Sequence, residues 1–178
     1  MRKALHITVI LVFILSCSNS KKADTSTLEV KANSVSDSIT IKENRVLIIF
    51  DVETFVRTEK YELTIVNSEN AISYHYKNLS DEDKNMDFKF DKNSNWLYFS
   101  DMPFQLVKKN EYLESKLSKT NFDLYEMIDQ MDDGNGPMLF NKDYGILNFD
   151  NGWGRFFVYL KTNNDSILAK ELILKVYQ

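Results

Sequence analysis

The chain of 178 residues is mildly acidic, with 26 acidic against 22 basic side chains, a net charge of −4 and 13% aromatic residues. This length fits a single domain, and the aromatic content, with few prolines and glycines, argues against a disordered chain. A negative net charge provides no general attraction to nucleic acid or to anionic lipid, so nucleic-acid binding is not expected.

The first residues have the pattern of an export signal. Arg2 and Lys3 precede the apolar run Ala4–Leu15. As a helix this run would be about 18 Å long, which is shorter than the roughly 30 Å hydrocarbon core of a bilayer. A run of this length is typical of the hydrophobic region of a signal peptide and predicts removal of residues 1–16.

The segment Ile14–Cys17 resembles the lipobox of bacterial lipoproteins, in which an aliphatic, a variable and a small residue precede a cysteine. The resemblance implies that Cys17 receives a thioether-linked diacylglycerol, after which its amino group is acylated. In the Gram-negative family an aspartate at the next position favours retention in the inner membrane. Ser18 therefore resembles the outer-membrane class, which implies a lipid-anchored protein facing the periplasm.

Cys17 is the only cysteine in the chain. The folded part therefore has no disulfide, thiol nucleophile or cysteine metal ligand. Residues 17–38 are predicted to form the lipidated cysteine and a flexible tether with a reach of roughly 25 Å. The segment is polar and rich in Ser, Thr, Lys and Asn. Within this tether, Leu28–Val30 could form a short edge strand. Residues 39–178 are predicted to form one globular, β-rich domain.

Alternating hydrophobicity predicts strands in the first half of the domain. Arg45–Thr54 is apolar on both faces in its first half, which predicts a central strand covered on both sides. Lys60–Asn67 and Ala71–Lys77 are separated by three residues, which favours a hairpin. Met86–Phe90 and Trp96–Phe99 predict a second hairpin.

Residues 108–131 lack this alternation and predict one or two helices. Thr120 and Asp123 have the spacing of a capping box. Apolar residues then recur at helical spacing, at Leu124, Met127, Ile128 and Met131. The tail 166–178 fits either a helix or a final strand, and the strand fits slightly better.

The dipeptide Asn151-Gly152 predicts a two-residue type I′ turn between two further strands. This turn would pair Phe149 with Gly154, Leu147 with Phe156, and Gly145 with Val158. Together these elements predict an α+β domain, built on an antiparallel, twisted sheet of about six to nine strands with one or two helices inserted near 110–131.

The reactive side chains offer little for catalysis. His75 is the only histidine after the signal, and no Gly-x-Ser-x-Gly elbow is present, so a serine-hydrolase triad is not expected. His75 is instead predicted to face solvent from a strand. Asp132–Gly136 does not place oxygen ligands at the positions of an EF-hand loop, so it predicts a plain turn. No catalytic residue, metal or cofactor is predicted.

Phe50–Thr54 resembles the first motif of DEDD-type exonucleases, in which Asp and Glu hold two metal ions. Phe55–Val56 stands where that motif usually has glycine, and no convincing partner motif follows. We therefore interpret the segment as a strand leaving the core. Asp51 and Glu53 remain the first candidates for an alternative function, a carboxylate-dependent envelope hydrolase.

Tryptophan and tyrosine are favoured at protein interfaces. A candidate binding patch comprises Trp96, Tyr144, Trp153 and Tyr159, although aromatic residues in β domains also form cores. The sequence favours a non-catalytic, lipid-anchored envelope protein that binds a protein or another envelope component, for example an immunity or inhibitor protein. A structural lipoprotein without a specific partner is the other alternative.

Overall fold

A computed structural model of the chain describes residues 39–129, 134–162 and 166–176. The predicted signal, Cys17 and the tether with its Leu28–Val30 strand lie outside these residues, as do Met131 and the first two residues of the 132–136 turn. The described elements are β1 Ile39–Asp51, β2 Thr54–Asn67, β3 Ala71–Asn78, a 3-10 turn Glu82–Lys84, β4 Met86–Asp91, β5 Leu97–Phe99, β6 Met102–Tyr112, β7 Phe122–Met127, β8 Met138–Asn141, β9 Gly145–Asp150, β10 Arg155–Leu160 and α1 Ser166–Val176.

The ten strands form a closed antiparallel barrel. Each strand pairs with the next one along the chain, and β1 also pairs with β10, from Val46 opposite Leu160 to Asp51 opposite Arg155. The sequence prediction of an α+β domain, built on a twisted sheet of about six to nine strands with inserted helices, was therefore wrong. Alternation reports which side chains share a face, but it does not report whether the first and last strands meet.

The helices predicted near 110–131 are not found in the described part of that region, which contains the end of β6, a loop and β7. Neither residue of the expected capping box caps a helix. Thr120 Oγ1 lies 2.6 Å from Asn141 Nδ2, and the Asp123 carboxylate accepts a hydrogen bond from the Asn110 amide. Pairing of β7 with β6 and β8 outweighs a local helical preference that is worth only tenths of a kcal/mol per residue.

The C-terminal segment is a helix, so the slight preference for a strand was wrong. Ala169, Leu172 and Ile173 recur at helical spacing and are buried. They pack on the outer face of the barrel wall, against a cluster that includes Val46 and Ile48 of β1. This contact covers one outer sector of the barrel.

The strands predicted between residues 45 and 99 are found as β1 to β5, with the expected three-residue link between β2 and β3, but β1 ends at Asp51 rather than at Thr54. The covering of β1 on both faces is also confirmed. Leu47 and Ile49 point into the barrel, whereas Val46, Ile48 and Phe50 belong to the cluster beneath α1. Each such buried aliphatic or Phe side chain contributes about 1.5–3 kcal/mol.

The hairpin of β9 and β10 exists, but its predicted register was wrong. Phe149 pairs with Phe157 rather than Gly154, and Phe156 pairs with Asp150 rather than Leu147. The connection has four residues, and it is closed by a hydrogen bond from the Asn151 amide to the Arg155 carbonyl. The observed register therefore differs from the predicted register by an odd number of residues. This difference places Phe157 inside the barrel and Phe156 outside.

Aromatic side chains from opposite walls meet in the barrel interior. Phe88 of β4 and Phe149 of β9 have ring centroids 5.8 Å apart, and Tyr76 of β3 and Tyr159 of β10 have centroids 4.5 Å apart. All ten strands contribute buried side chains to this cluster. At these levels the barrel axis is occupied by side chains, so the interior is a packed core.

Candidate functional site

The connections of the barrel alternate between two ends, because each strand is antiparallel to the next. We call the end at which β1 begins, at Ile39, the entry end. The opposite end, which carries the β1–β2, β3–β4, β5–β6, β7–β8 and β9–β10 connections, is called the far end. Two of the exposed apolar side chains, Val52 and Trp153, lie in neighbouring connections of the far end.

Val52, in the β1–β2 turn, is 61% exposed, and Trp153, in the β9–β10 turn, is 77% exposed. The Val52 amide donates a hydrogen bond to the Gly154 carbonyl at 3.1 Å, which joins the two turns. Val52 also has a φ of +54°, a conformation that is costly for a β-branched residue. Burial does not compensate this strain, because the Val52 side chain faces solvent.

The conformation of the Trp153 loop is stabilised by residues within the loop itself. Gly152 and Gly154 both have positive φ values, which glycine adopts without a steric penalty. The Asp150 carboxylate accepts a hydrogen bond from the Gly152 amide, and the Asn151 side chain accepts from the amides of Trp153 and Arg155. The exposed indole is therefore carried by an ordered loop.

A groove of about 700 Å³ separates the β1–β2 hairpin from α1. Phe50 is buried at its base, and Phe55, which is exposed, contacts Phe50 edge to face with ring centroids 6.3 Å apart. Ile167 of α1 is exposed on the other side. We call Val52, Phe55 and Trp153 the tip surface.

The β1–β2 hairpin extends beyond β3. Pairing between β2 and β3 begins at Tyr61, so in the described structure the stretch 54–59 pairs with β1 alone. The base of this extension is held by Glu59, which accepts hydrogen bonds from Arg57 at 2.7 Å and Asn78 at 2.8 Å. Burial works to raise the pKa of Glu59, but the donors Arg57 and Lys84 outweigh it and lower the pKa below its usual value.

The four aromatic residues proposed from the sequence do not form one patch. Trp153 is exposed at the far end, whereas Trp96, 40% exposed, lies in the β4–β5 turn at the entry end. Tyr159 is inside the barrel, and Tyr144 is buried with its hydroxyl donating to the Tyr159 carbonyl at 2.8 Å. Val52 was not predicted to be a surface residue, because alternation places it on the same face as Phe50.

The carboxylates proposed for a hydrolase lie on the surface. Asp51 and Glu53 flank Val52 and are both exposed. Among the residues described, no group of three or more His, Cys, Asp or Glu side chains could hold a metal ion. His75 faces outward as predicted, with Nδ1 2.7 Å from the Asp87 carboxylate.

A buried arginine stands at the entry end. Arg45 donates hydrogen bonds to the Glu43 carboxylate at 2.6 Å and to the Tyr144 carbonyl at 3.0 Å, and its guanidinium lies 4.5 Å from the centre of the Tyr144 ring. Burial works to raise the pKa of Glu43, but Arg45 and Lys161 lower it below its usual value. Two polar clefts of about 420 and 300 Å³ lie nearby and share Thr120 and Asp143.

These observations define a filled, closed antiparallel barrel with a preorganised apolar tip. Comparison of the chain with protein-family models, with curated proteins and with solved structures gave no match. Within the described ranges, no helix has the combination of length and apolarity that a membrane span requires.

Proposed function

We propose that this protein is a lipid-anchored, non-catalytic binding protein of the bacterial envelope that docks an envelope partner through the tip surface. The observation that carries the proposal is the exposure of Trp153 and Val52 side by side on hydrogen-bonded turns. A protein that occludes an envelope hydrolase or a toxin, as an immunity or inhibitor protein does, is one form of this function. The N-terminal lipid would hold it at the outer membrane.

The rigidity of the tip surface supports a binding role. Binding energy in protein interfaces is concentrated in a few residues, among which tryptophan is enriched. Ordering of loops on association costs free energy, and a loop that is already ordered avoids most of that cost. The Asp150 and Asn151 hydrogen bonds hold the Trp153 loop before any partner arrives.

The tip surface also favours binding over the alternative of a carboxylate-dependent hydrolase. A general acid or base of that class usually lies in a protected, partly desolvated site. Asp51 and Glu53 instead stand in the open on either side of Val52. Their position suits the polar rim of an interface around an apolar centre.

The test is site-specific photocrosslinking in the organism that makes the protein. A photoreactive amino acid replaces Trp153 in one strain and Trp96, at the opposite end, in the matched control strain. We expect a discrete crosslinked protein at position 153 and none at position 96, because only the first residue belongs to the tip surface. Both variants must show the melting temperature of the wild type.

Equal crosslinking at the two positions, or none at position 153, would refute docking through the tip surface. A Val52→Ser variant provides a second readout. It should reduce the yield at position 153 severalfold without unfolding the barrel, since Val52 is exposed and in a strained turn.

A further inference from the structure

We infer that the partner docked by the tip surface is a basic protein; this inference rests on the proposed function and specifies the chemistry of its partner. The observation is a separation of charge between the two ends of the barrel. In the described far-end connections, one basic residue, Lys84, stands among six acidic ones: Glu53, Asp81, Glu82, Asp83, Asp101 and Asp129.

The entry end has the opposite balance. Its described connections and the residues directly after β10 contain five lysines, Lys92, Lys116, Lys119, Lys142 and Lys161, against three acidic residues, Glu69, Glu114 and Asp143. The described connections therefore carry their negative charge unevenly, although the net charge of the chain is only −4. The acidic end is the end that bears Trp153 and Val52.

Two of the basic groups near the tip surface form ion pairs, and two others, Arg155 and Lys170, are exposed. Lys84 Nζ lies 3.3 Å from Glu59 and 3.5 Å from Asp81, and Arg57 Nε lies 2.7 Å from Glu59. Arg155, at the base of the Trp153 loop, pairs along the backbone with Asp51 and is exposed. Asp51 and Glu53, the acidic residues on either side of Val52, are both exposed.

The tip surface has an apolar centre with acidic residues around it, and such a surface selects its partner by charge. Opposite charge accelerates encounter by about 10- to 1000-fold at low salt, and like charge disfavours association. An anionic lipid surface or a nucleic acid would meet repulsion at this end. A protein with an excess of lysine and arginine around an apolar pocket fits both the shape and the charge of the tip surface.

The experiment uses the full-length lipidated protein in detergent and the protein crosslinked at position 153, identified by mass spectrometry and then purified. Association rates are measured at low and high NaCl for the wild type and for two double variants. Asp51→Asn with Glu53→Gln removes charge beside the tip surface. Glu69→Gln with Asp143→Asn removes the same charge at the entry end and is the matched control.

Crosslinking of a partner does not by itself support the inference. The isoelectric point of that partner and its association rates decide the inference. We expect a partner with an isoelectric point above neutrality, a fall in association rate of at least about 10-fold on raising NaCl, and a reduction of about 3- to 10-fold in the far-end variant. The entry-end variant should associate at the wild-type rate.

A neutral or acidic partner, or a rate that is insensitive to salt and to the far-end substitutions, would overturn the inference and leave the proposed function standing. The absence of any crosslinked partner would overturn both. Phosphatidylglycerol vesicles serve as a separate probe, and a shift of tryptophan fluorescence on their addition that disappears in a Trp153→Phe variant would identify a lipid surface instead and overturn the inference.

Discussion

Gly145, the first residue of β9, occupies a crowded position that strongly favours glycine. Its φ is +91°, and an added Cβ would lie 2.5 Å from the Tyr76 hydroxyl oxygen and 3.3 Å from a ring carbon of Tyr74. The Tyr76 hydroxyl cannot withdraw freely, because it accepts a hydrogen bond from the Ile146 amide at 2.8 Å. Close approach of β9 to the barrel core therefore depends on the missing side chain.

At the residue scale we predict that Gly145→Ala costs about 2–4 kcal/mol of unfolding free energy, from the positive φ together with the displacement of Tyr76. Gly154→Ala is the matched control, since Gly154 also has a positive φ, +75°, but an added Cβ would meet no atom within 4 Å. That change should cost about 1–2 kcal/mol. Urea unfolding followed by circular dichroism measures both, and equal costs would contradict the crowding at Tyr76.

At the scale of an element, the β9–β10 hairpin shows how a turn determines which residues form the core. The sequence pattern places Phe149 and Phe156 on one apolar face, across a two-residue turn. In the structure Phe149 is inside the barrel, within 5.7 Å of Phe99 and 4.9 Å of Phe157 between ring centroids. Phe156 is half-buried on the outer face.

We predict that Phe149→Ala costs about 3–5 kcal/mol, because it removes a ring that touches two opposite walls of the core. Phe156→Ala should cost about 1–2 kcal/mol, since part of that ring already faces solvent. The unfolding free energies of the two variants are compared from their urea midpoints, provided that both have the same dependence of free energy on urea concentration. The two-residue turn would place both rings in the core, so similar costs would favour that register over the four-residue loop.

For the molecule as a whole, closure of the barrel and attachment to lipid are separate questions. The barrel between Ile39 and Leu160 is closed by pairing between its first and last strands. Attachment to lipid is a prediction from the lipobox resemblance alone, and its site, Cys17, lies outside the described residues. Buried acyl chains contribute about 0.8 kcal/mol per CH₂, so several chains anchor a protein far better than one.

We predict that the wild-type protein incorporates a clickable fatty acid and fractionates with the outer membrane, and that Cys17→Ala removes the label. Ser18→Asp is the matched control, since it should keep the label while shifting the protein towards the inner membrane. Gel fluorescence of membrane fractions measures both effects. Absence of label from the wild type, or equal label in Cys17→Ala, would refute the lipid anchor.

Local pattern was sufficient for part of this structure. The alternation in Lys60–Asn67 and Ala71–Lys77 predicted β2 and β3, because both strands have one face in a core and one towards solvent. The outward position of His75 followed from the same alternation. The exposure of Trp153 was proposed together with that of Tyr144 and Tyr159, and composition alone could not separate them.

The sequence by itself determined where most strands of the first half lie, because side-chain alternation is a local property of the chain. Only the tertiary structure decided that β1 meets β10, that 122–127 is a strand rather than part of a helix, and that Val52 joins Trp153 at an acidic end. Each of these depends on pairing between residues far apart in the chain. The free energy of such pairing outweighs the weak local preferences that a sequence pattern reports.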